Sequence, residues 1–292
     1  MNVETGVELA RHTTLGTGGP ARAFARPGSV AEVEDLLRWA RSEGLAIAVV
    51  GLGSSLLAAD EGVDALVLRL GGTLASVEVE GGLVRAGGGG ANAVVLHAVR
   101  NAGLGGFEFA CAIPGTIGGG IWMNGGAYGG DFAAVLERAL VATADGTGWL
   151  EPAELGLSYR HSGLEHGQVV VQAELRLAPR DPSEIRADVR DLNARRKAAQ
   201  PTNRRTFGSV FKNPEHELTA GRMLEACRLK GFRIGGAQVS PKHANFIENA
   251  GGARSADAVA LMAEARRRAR ERFGVDLVHE VELLGAIALP PL

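Results

Sequence analysis

Three observations in the sequence predict an α+β protein of two domains. The expected strands and helices follow one another without the regular alternation that is typical of a parallel α/β sheet. A chain of 292 residues is long enough for one large domain or two ordinary ones. The composition also changes near residue 194. Of the 42 glycines, 33 lie before residue 195, whereas residues 195–292 carry 17 Lys or Arg against 10 Asp or Glu.

Capping signals and hydrophobic periodicity define the elements of the first domain. Ser29 and Glu32 form a capping box that begins a helix, and Gly44 ends it. Residues 169–177 alternate between apolar and polar side chains, which predicts a strand with one buried face. The remaining predicted elements are strands at 47–50, 65–70 and 83–86, a helix at 91–102, a hairpin at 137–150 that turns at Asp145-Gly146, and a helix at 183–199.

The basic domain is predicted to contain shorter elements and one long helix. They are a strand at 207–212, a helix at 219–227, a strand at 244–248, a helix at 256–273 and a strand at 277–285. The last helix contains five arginines between residues 266 and 272, but it also has an apolar face, so the arginines are expected on its solvated side. Because no aromatic residues are interleaved and the whole chain has a net charge of −2, we expect no nucleic-acid binding.

Cysteine content and hydropathy exclude several classes of protein. Cys111 and Cys227 are far apart and form no CxxC pair, which argues against a disulfide scaffold and a zinc site. The chain has no apolar run long enough to span a membrane and no apolar signal-peptide core near its start. We therefore expect a soluble, cytoplasmic protein that binds neither a metal ion nor a membrane.

Two glycine-rich segments are candidates for binding a diphosphate. Gly51-Leu52-Gly53-Ser54-Ser55 follows a predicted strand, and 113–120 is a second such segment. Glycines allow successive backbone N–H groups to point into one concavity, which suits phosphate oxygens. The first segment lacks both the Gly-Lys-Ser/Thr of a Walker loop and the GxGxxG spacing of a dinucleotide-binding helix. On its own it is more typical of a simple turn, but two such segments in one domain favour a dinucleotide.

Five ordered motifs resemble the UDP-N-acetylenolpyruvoylglucosamine reductase family. They are Ile113-Pro114-Gly115-Thr116-Ile117-Gly118-Gly119 with Met123-Asn124-Gly125-Gly126-Ala127-Tyr128-Gly129, then Tyr159-Arg160-His161-Ser162, Gly208-Ser209-Val210-Phe211-Lys212-Asn213-Pro214, Ile234-Gly235-Gly236-Ala237-Gln238-Val239-Ser240 with His243-Ala244-Asn245-Phe246, and His279-Glu280-Val281-Glu282-Leu283-Leu284-Gly285. The resemblance extends over almost the whole chain. The short connection between Ser162 and Val169 is similar to that of the subtype without an extra substrate-covering loop.

The resemblance implies a fold, two cofactors and a substrate. The fold is a vanillyl-alcohol-oxidase-like FAD-binding domain over 1–194, with subdomains at about 1–70 and 71–194, and a substrate-binding domain over 195–292 whose last strand packs back on the FAD domain. The reaction is the NADPH-dependent reduction of an enolpyruvyl ether of a UDP-sugar in peptidoglycan precursor synthesis, and we expect a monomer. A covalent flavin bond through His12 is an alternative, but a lone histidine after an arginine is more typical of a surface position, so non-covalent FAD is expected.

The resemblance also assigns roles to residues. Ser209 is implied as the proton donor, with Arg160 and Glu280 stabilising the enolic intermediate. The residues implied at the cofactor are Gly51, Gly53, Ser54, Ser55, Leu56, Pro114, Gly115, Thr116, Gly118, Gly119 and Val171. Those expected at the substrate are Tyr128, Lys212, Asn213, Lys242 and His243. Two alternatives stay open at this point: a flavin oxidase of the same fold that needs no NADPH, and a colourless UDP-sugar-binding protein in which Ser209 is dispensable.

Overall fold

The computed structural model describes residues 2–291, and the chain divides into two compact units. The first unit consists of the N-terminal residues to Glu4, Ala23–Leu52 and Ala65–Arg196. The second consists of Thr5–Arg22, Gly53–Asp64 and the chain from Lys197 onward. The main boundary between the units lies between Arg196 and Lys197, and two N-terminal segments belong to the same unit as the C-terminal third. The expected division into an FAD-binding and a substrate-binding domain at residue 194 stays a prediction.

The strands, in chain order, are β1 (Val3–Glu4), β2 (Val7–Glu8), β3 (Pro20–Ala25), β4 (Ala46–Val49), β5 (Leu56–Ala58), β6 (Val63–Leu68), β7 (Val77–Glu80), β8 (Leu83–Gly87), β9 (Leu104–Gly105), β10 (Gly126–Ala127), β11 (Gly130–Asp131), β12 (Leu136–Thr143), β13 (Gly146–Leu150), β14 (Val169–Arg176), β15 (Ala178–Pro179), β16 (Thr206–Ser209), β17 (Arg233–Ile234), β18 (Ala237–Val239), β19 (Phe246–Asn249) and β20 (Glu282–Leu284). The helices are α1 (Val30–Ser42), α2 (Asn92–Asn101), α3 (Ile117–Trp122), α4 (Pro182–Ala199), α5 (Ala220–Ala226) and α6 (Ser255–Phe273), with short 3₁₀ helices at Leu9–Arg11, Gly72–Ala75 and Glu108–Ala112.

Two sheets organise the first unit. One has the strand order β1-β3-β6-β4, in which β4 runs parallel to β6 and Ala46 is paired with Ala65. The other is an antiparallel sheet with the order β13-β12-β14-β8-β7. Helix α1 packs its apolar stripe into a core that both sheets share, which contains Val33, Leu37, Leu66, Leu68 and Val171. Burying each of these side chains contributes about 1.5–3 kcal/mol, so the stripe fixes the helix to the sheets.

The second unit is built on a four-stranded antiparallel sheet with the order β16-β19-β18-β17. Helices α5 and α6 pack on this sheet around buried Phe207, Met223, Leu261 and Met262. The last strand, β20, runs parallel to β5, with Glu282 paired with Leu56. The segment that β20 joins lies in the second unit, and the expected packing of the last strand on the FAD-binding domain stays a prediction.

Most of the predicted elements are confirmed within one to three residues. Ser29 caps α1, since its side chain accepts a hydrogen bond from the Glu32 N–H, and Gly274 ends α6 with φ +68°. The strand predicted at 277–285 is wrong in length. Its first part forms only an isolated bridge between Phe211 and His279, and regular pairing is limited to Glu282–Leu284.

Candidate active site

The loop at Gly51 meets the second glycine-rich segment inside the first unit. A Cβ on Gly51 would lie 2.6 Å from Oγ1 of Thr116, so only glycine allows this approach. Thr116 in turn caps α3, because its side chain accepts a hydrogen bond from the Gly119 N–H. Among residues 2–291, no backbone carbonyl accepts a hydrogen bond from the N–H of Gly51 or Leu52. The structure thus brings the two predicted phosphate segments together, with N–H donors left for a ligand.

The backbone N–H groups at the start of α3 already have hydrogen-bond partners within the protein. The Gly118 N–H donates to the carbonyl oxygen of Gly88 at 2.8 Å, and the Gly119 N–H faces the Thr116 hydroxyl. Any contact that Gly118 or Gly119 makes with a cofactor therefore uses Cα and carbonyl groups rather than free N–H donors. Gly115 is likewise engaged at its carbonyl, which accepts the Asn92 N–H.

Val171 is a core residue in the structure. Its side chain is fully buried among the apolar residues beneath β14, and its carbonyl accepts the Gly88 N–H at 2.9 Å. It holds the glycine run 87–90 in place, and its implied contact with the cofactor stays a prediction.

The remainder of the first loop belongs to the second unit and contacts both predicted catalytic segments there. Gly53 has φ +71°, and a Cβ at this position would overlap the carbonyl oxygen of His12. The carbonyl oxygen of Ser54 lies 3.3 Å from where a Cβ on Gly208 would be, directly before Ser209. The carbonyl oxygen of Ser55 accepts the Glu282 N–H at 3.0 Å. One side of this segment therefore faces the β16 strand, and the other faces the strand that follows Glu280.

Ser209 lies at the end of β16, paired with Phe246 of β19. The register of this pairing shifts between Thr206 and Ser209, and Gly208 has φ +85°, so the chain bulges immediately before the serine. Such a bulge changes the direction of the side chain that follows it. The side chain of Ser209 is half-buried, and no residue within 2–291 forms a hydrogen bond with its hydroxyl. A serine that only stabilised the turn would bond to a neighbouring backbone group.

Glu280 is on the segment directly beside Ser209. Its N–H donates to the carbonyl oxygen of Val210 at 2.8 Å, and the Lys212 N–H donates to Val278 at 2.9 Å. These two bonds make the isolated antiparallel bridge between Phe211 and His279. The structure thus brings two of the three predicted catalytic residues onto neighbouring chain segments of one unit.

Arg160, the third, lies in the first unit in a tight turn. Ser158 and His161 exchange two backbone hydrogen bonds, of 3.0 and 3.1 Å, and Arg160 between them has φ +53°. The guanidinium donates to the carbonyl oxygen of Gly126 and lies 5.0 Å from the centre of the Tyr159 ring. A left-handed conformation in a residue other than glycine costs about 1 kcal/mol or more, and such strain is concentrated at functional sites.

Tyr128 is at the tip of the β10–β11 hairpin, on the same glycine-rich segment. Tyr128 and Gly129 both have positive φ, +54° and +89°, as a two-residue type I′ turn requires. The ring is 46% exposed, so a ligand can reach it. Partial burial raises the pKa of the hydroxyl above its usual value, with a smaller contribution from Cys111, and keeps it a hydrogen-bond donor at neutral pH.

The four other predicted substrate residues lie in the second unit, two of them beside Ser209. Lys212 directly follows the bridged residue Phe211 and is half-buried. Asn213 accepts the Ala220 N–H with its side-chain oxygen at 3.2 Å and so helps to begin α5. Lys242 donates its ammonium group to the carbonyl oxygen of Lys197.

His243 is a neutral hydrogen-bond donor by geometry and environment. Burial lowers the pKa of its imidazole below the usual value, and Lys230 lowers it further. Nδ1 accepts the Asn245 N–H at 3.2 Å, which leaves the ring proton on Nε2. The Ser240 hydroxyl, fully buried, accepts the N–H groups of Lys242 and His243 at 3.2 and 3.4 Å and shapes this turn.

Sequence reasoning missed three residues that organise these segments: Thr14, Asn124 and Ser240. Asn124 lies inside a quoted motif, and its φ of +38° is a conformation in which Asn is enriched. Thr14 gives no local signal, because its partners are far away in the sequence. In the part of the chain from 2 to 291, no cluster of three or more His, Cys, Asp or Glu side chains is placed to hold a metal ion. Over the same residues, no helix is long and apolar enough to cross a membrane.

The arginine-rich helix α6 has partners for its charges within the second unit. Arg267 bonds Glu264 and Glu271, and Arg268 bonds Glu264. Arg267, with Arg268 after it, lowers the pKa of Glu264 to about 2. These ion pairs lie on the polar side of α6, which the sequence predicts to be solvated.

Comparison with known proteins settles the family. A family model for the C-terminal domain of UDP-N-acetylenolpyruvoylglucosamine reductase matches residues 200–284, and one for an FAD-binding domain matches residues 21–149. UDP-N-acetylenolpyruvoylglucosamine reductase 2 of Symbiobacterium thermophilum is 44% identical to this chain. The alignment covers 95% of this chain and 90% of that relative. The chain belongs to the UDP-N-acetylenolpyruvoylglucosamine reductase family. The reductase of Bacillus subtilis is 38% identical over 95% of this chain and 92% of its own.

A solved reductase structure has the same fold. The crystal structure of the reductase from Thermus caldophilus superposes with a TM-score of 0.85 at 35% identity, covering 97% of this chain and 99% of that one. The resemblance drawn from the motifs is confirmed, as are the α+β fold with an FAD-binding domain and the class of oxidoreductase. The vanillyl-alcohol-oxidase-like type of that domain stays a prediction. The reductase subtype, the functions of the two domains and the roles of single residues stay predictions.

Proposed function

We propose that the protein reduces the enolpyruvyl ether of UDP-N-acetylglucosamine to UDP-N-acetylmuramate, with FAD as its cofactor and NADPH as the electron donor. Membership of the reductase family supports the substrate, and the match to an FAD-binding domain supports the cofactor. This reaction supplies a precursor of peptidoglycan.

One structural relationship carries the proposal. In the second unit, the segment 53–56 of the predicted cofactor loop packs against Gly208 on one side and bonds Glu282 on the other. Ser209 and Glu280 are therefore held next to the segment 53–56, in which Gly53 has no room for a side chain. A protein that bound a UDP-sugar without chemistry would not need a free serine hydroxyl beside this segment.

The residues present fit FAD. We propose that the N–H donors of Gly51 and Leu52 face its diphosphate and that Gly53, Ser54, Ser55, Leu56, Pro114, Gly115, Thr116, Gly118 and Gly119 complete its site. Held by these residues, FAD would supply hydride transfer from NADPH to the enolpyruvyl double bond. The cradle closes at Gly51 against Thr116, where a Cβ would remove the space.

Arg160 and Glu280 act on the charge that hydride addition leaves on the substrate. This charge spreads onto the carboxylate, which a guanidinium can hold with two parallel hydrogen bonds. Arg160 is already fixed by its turn and by Gly126, so little reorganisation is needed when the charge develops. Glu280, on the segment beside Ser209, stabilises the same enolic intermediate.

Ser209 delivers the proton that completes the reduction. Its hydroxyl donates to the adjacent carbon of the intermediate and recovers a proton from solvent, so that one hydride and one proton have been added. A serine hydroxyl is a weak acid in water, and transfer depends on a held intermediate and on cations nearby, of which Lys212 is three residues away in sequence.

The remaining assignments concern binding and organisation. We propose that Tyr128, Lys212, Asn213, Lys242 and His243 contact the UDP-sugar, with His243 as a neutral donor and the two lysines as positive charges. Residues 1–194 bind mainly FAD and residues 195–292 the substrate, which agrees with the ranges of the two matching family models. We propose that the protein acts as a monomer in the cytoplasm.

The proposal is tested by following NADPH consumption by the purified protein. We expect consumption to depend on the enolpyruvyl substrate, and the product to have the mass of the substrate plus two hydrogen atoms. Oxidation of small alcohols without NADPH would identify an oxidase instead. A protein that stays colourless after incubation with FAD, yet binds UDP-sugar, would be a binding protein.

A further inference from the structure

Asn124 is a buried polar residue that the proposed reaction does not use. Its side chain is 3% exposed and its backbone has φ +38°. Nδ2 donates to the carbonyl oxygen of Ser158 at 2.9 Å, while Oδ1 accepts the Ala133 N–H at 2.9 Å. Since a carbonyl can only accept and an N–H can only donate, these two partners fix the orientation of the amide.

The Ser158 carbonyl belongs to the turn that carries Arg160. The same residue exchanges backbone hydrogen bonds with His161, so the amide of Asn124 is attached to the base of this turn. A second attachment follows two residues later, where the buried Ser162 hydroxyl donates to the carbonyl oxygen of Trp122 at 2.7 Å. The third is the bond from the guanidinium to Gly126. Residues 158–162 are thus attached to 122–126 at three points.

Strain is concentrated in the same place. Four residues other than glycine have positive φ among residues 2–291, and three of them are Asn124, Tyr128 and Arg160. Each costs free energy that the surrounding contacts must supply. The left-handed turn of Arg160 needs hydrogen bonds from outside the turn. Without them it can relax toward a less strained conformation and move the Arg160 guanidinium. A misplacement of about 1 Å can reduce a rate by about 10².

We infer that Asn124 is a positioning residue for the reaction: it holds the 158–161 turn so that the Arg160 guanidinium is presented to the carboxylate of the enolpyruvyl substrate. This inference rests on the proposed function. Asn124 acts through Ser158 and takes no direct part in the chemistry.

The test uses two variants of Asn124 and one matched control. Asn124→Gly keeps the positive φ and removes both side-chain bonds without adding charge. Asn124→Asp keeps an acceptor for Ala133 and replaces the donor to Ser158. Asn249→Asp is the control, because Asn249 Nδ2 donates to the carbonyl oxygen of Leu15 at 3.0 Å, while Oδ1 accepts the Gly251 N–H. The Asn249→Asp variant removes the same kind of hydrogen bond, at a position outside the turn that carries Arg160.

In both Asn124 variants, we expect the reoxidation of reduced flavin by substrate to slow by about 10- to 100-fold, because the Arg160 guanidinium is displaced from its position. The rate of flavin reduction by NADPH should stay within about twofold of wild type, because Arg160 has no role in it. The His161 amide should exchange with solvent faster, which is a readout independent of activity. Asn249→Asp should leave both rates and the His161 amide unchanged.

A double-mutant cycle with Arg160→Lys decides between positioning and general structural support. If Asn124 acts through Arg160, then Asn124→Gly in the Arg160→Lys background should add little to the loss already present. Additive losses, or equal slowing of both half-reactions, would overturn the inference while leaving the proposed function intact. A wild-type protein that fails to react with the substrate would instead overturn the proposed function.

Discussion

The hydroxyl of Thr14 donates a hydrogen bond of 2.7 Å to the carbonyl oxygen of Thr206, at the start of the strand that ends at Ser209. The Thr14 N–H donates to the carbonyl oxygen of Gly53 at 2.9 Å. One residue near the N-terminus therefore joins the predicted cofactor loop to the strand of the proposed proton donor, inside the second unit. It is one of the contacts that join segments 5–22 and 53–64 to the C-terminal third of the chain.

We expect Thr14→Val to destabilise the protein and Thr14→Ser to do so less. Valine keeps the branched shape but leaves the Thr206 carbonyl without its donor, which costs about 1 kcal/mol. For a chain of this size, the Tm should fall by about 2–4 °C. Thermal unfolding followed by circular dichroism measures this shift. If Thr14→Val unfolds at the wild-type temperature, the bond does not stabilise the second unit.

Gly51→Ala should impair FAD binding. The new Cβ would lie 2.6 Å from Oγ1 of Thr116, which is closer than van der Waals contact allows, so one of the two loops must move. Gly148→Ala is the matched control, because a Cβ there meets no atom within 4 Å. The measurement is FAD affinity by titration of apoprotein. Equal affinities in the two variants would show that the approach of Gly51 to Thr116 does not shape the cofactor site.

Ser209→Ala should separate the two half-reactions. Reduction of the flavin by NADPH needs no proton from Ser209 and should proceed at nearly the wild-type rate, as seen by bleaching in a stopped-flow instrument. Reoxidation by the enolpyruvyl substrate should slow by about 10² or more, the low end for loss of a positioned acid. Ser209→Cys should recover part of the rate, since a thiol can also donate a proton. Slowing of both steps alike would make Ser209 a structural residue.

His243 should make stability fall with acidification. Its pKa is lowered in the folded state, so below its usual value of about 6.5 the unfolded chain binds the proton more readily. The folded state therefore loses stability as the pH falls through the usual value of about 6.5, and keeps it above that pH. His243→Gln should show a shallower dependence of Tm on pH than wild type. His97→Gln, on the exposed face of α2, is the control, and a wild-type slope in His243→Gln would contradict the argument.

Local signals in the sequence were sufficient for the longer elements. The capping box at Ser29 and the alternation at 169–177 each correspond to an observed helix or strand, because capping and burial on one face act within a few residues. The motifs likewise located Ser209 and Glu280, which the structure places on adjacent segments. The two-residue strands, such as β1 and β2, were not predicted, since they exist only through their pairing with β3.

The abundance of glycine had a cause that the sequence did not reveal. Tight turns and ligand contacts were expected, but a Cβ on Gly88 would overlap the carbonyl oxygen of Val170, and one on Gly236 would overlap the backbone of Ala253. These glycines let one stretch of backbone pass directly over another. Such crossings depend on residues far apart in sequence, and for the same reason Thr14 could not be identified as the link between Gly53 and Thr206.

The most direct test of the proposed function is one anaerobic mixing experiment on the purified protein. The flavin is first reduced with NADPH, and the enolpyruvyl ether of UDP-N-acetylglucosamine is then added while the flavin absorbance is recorded. We expect the absorbance of oxidised flavin to return, with UDP-N-acetylmuramate formed in equal amount. A flavin that stays bleached after addition of the substrate, or a protein that takes up no flavin, would contradict the proposed function.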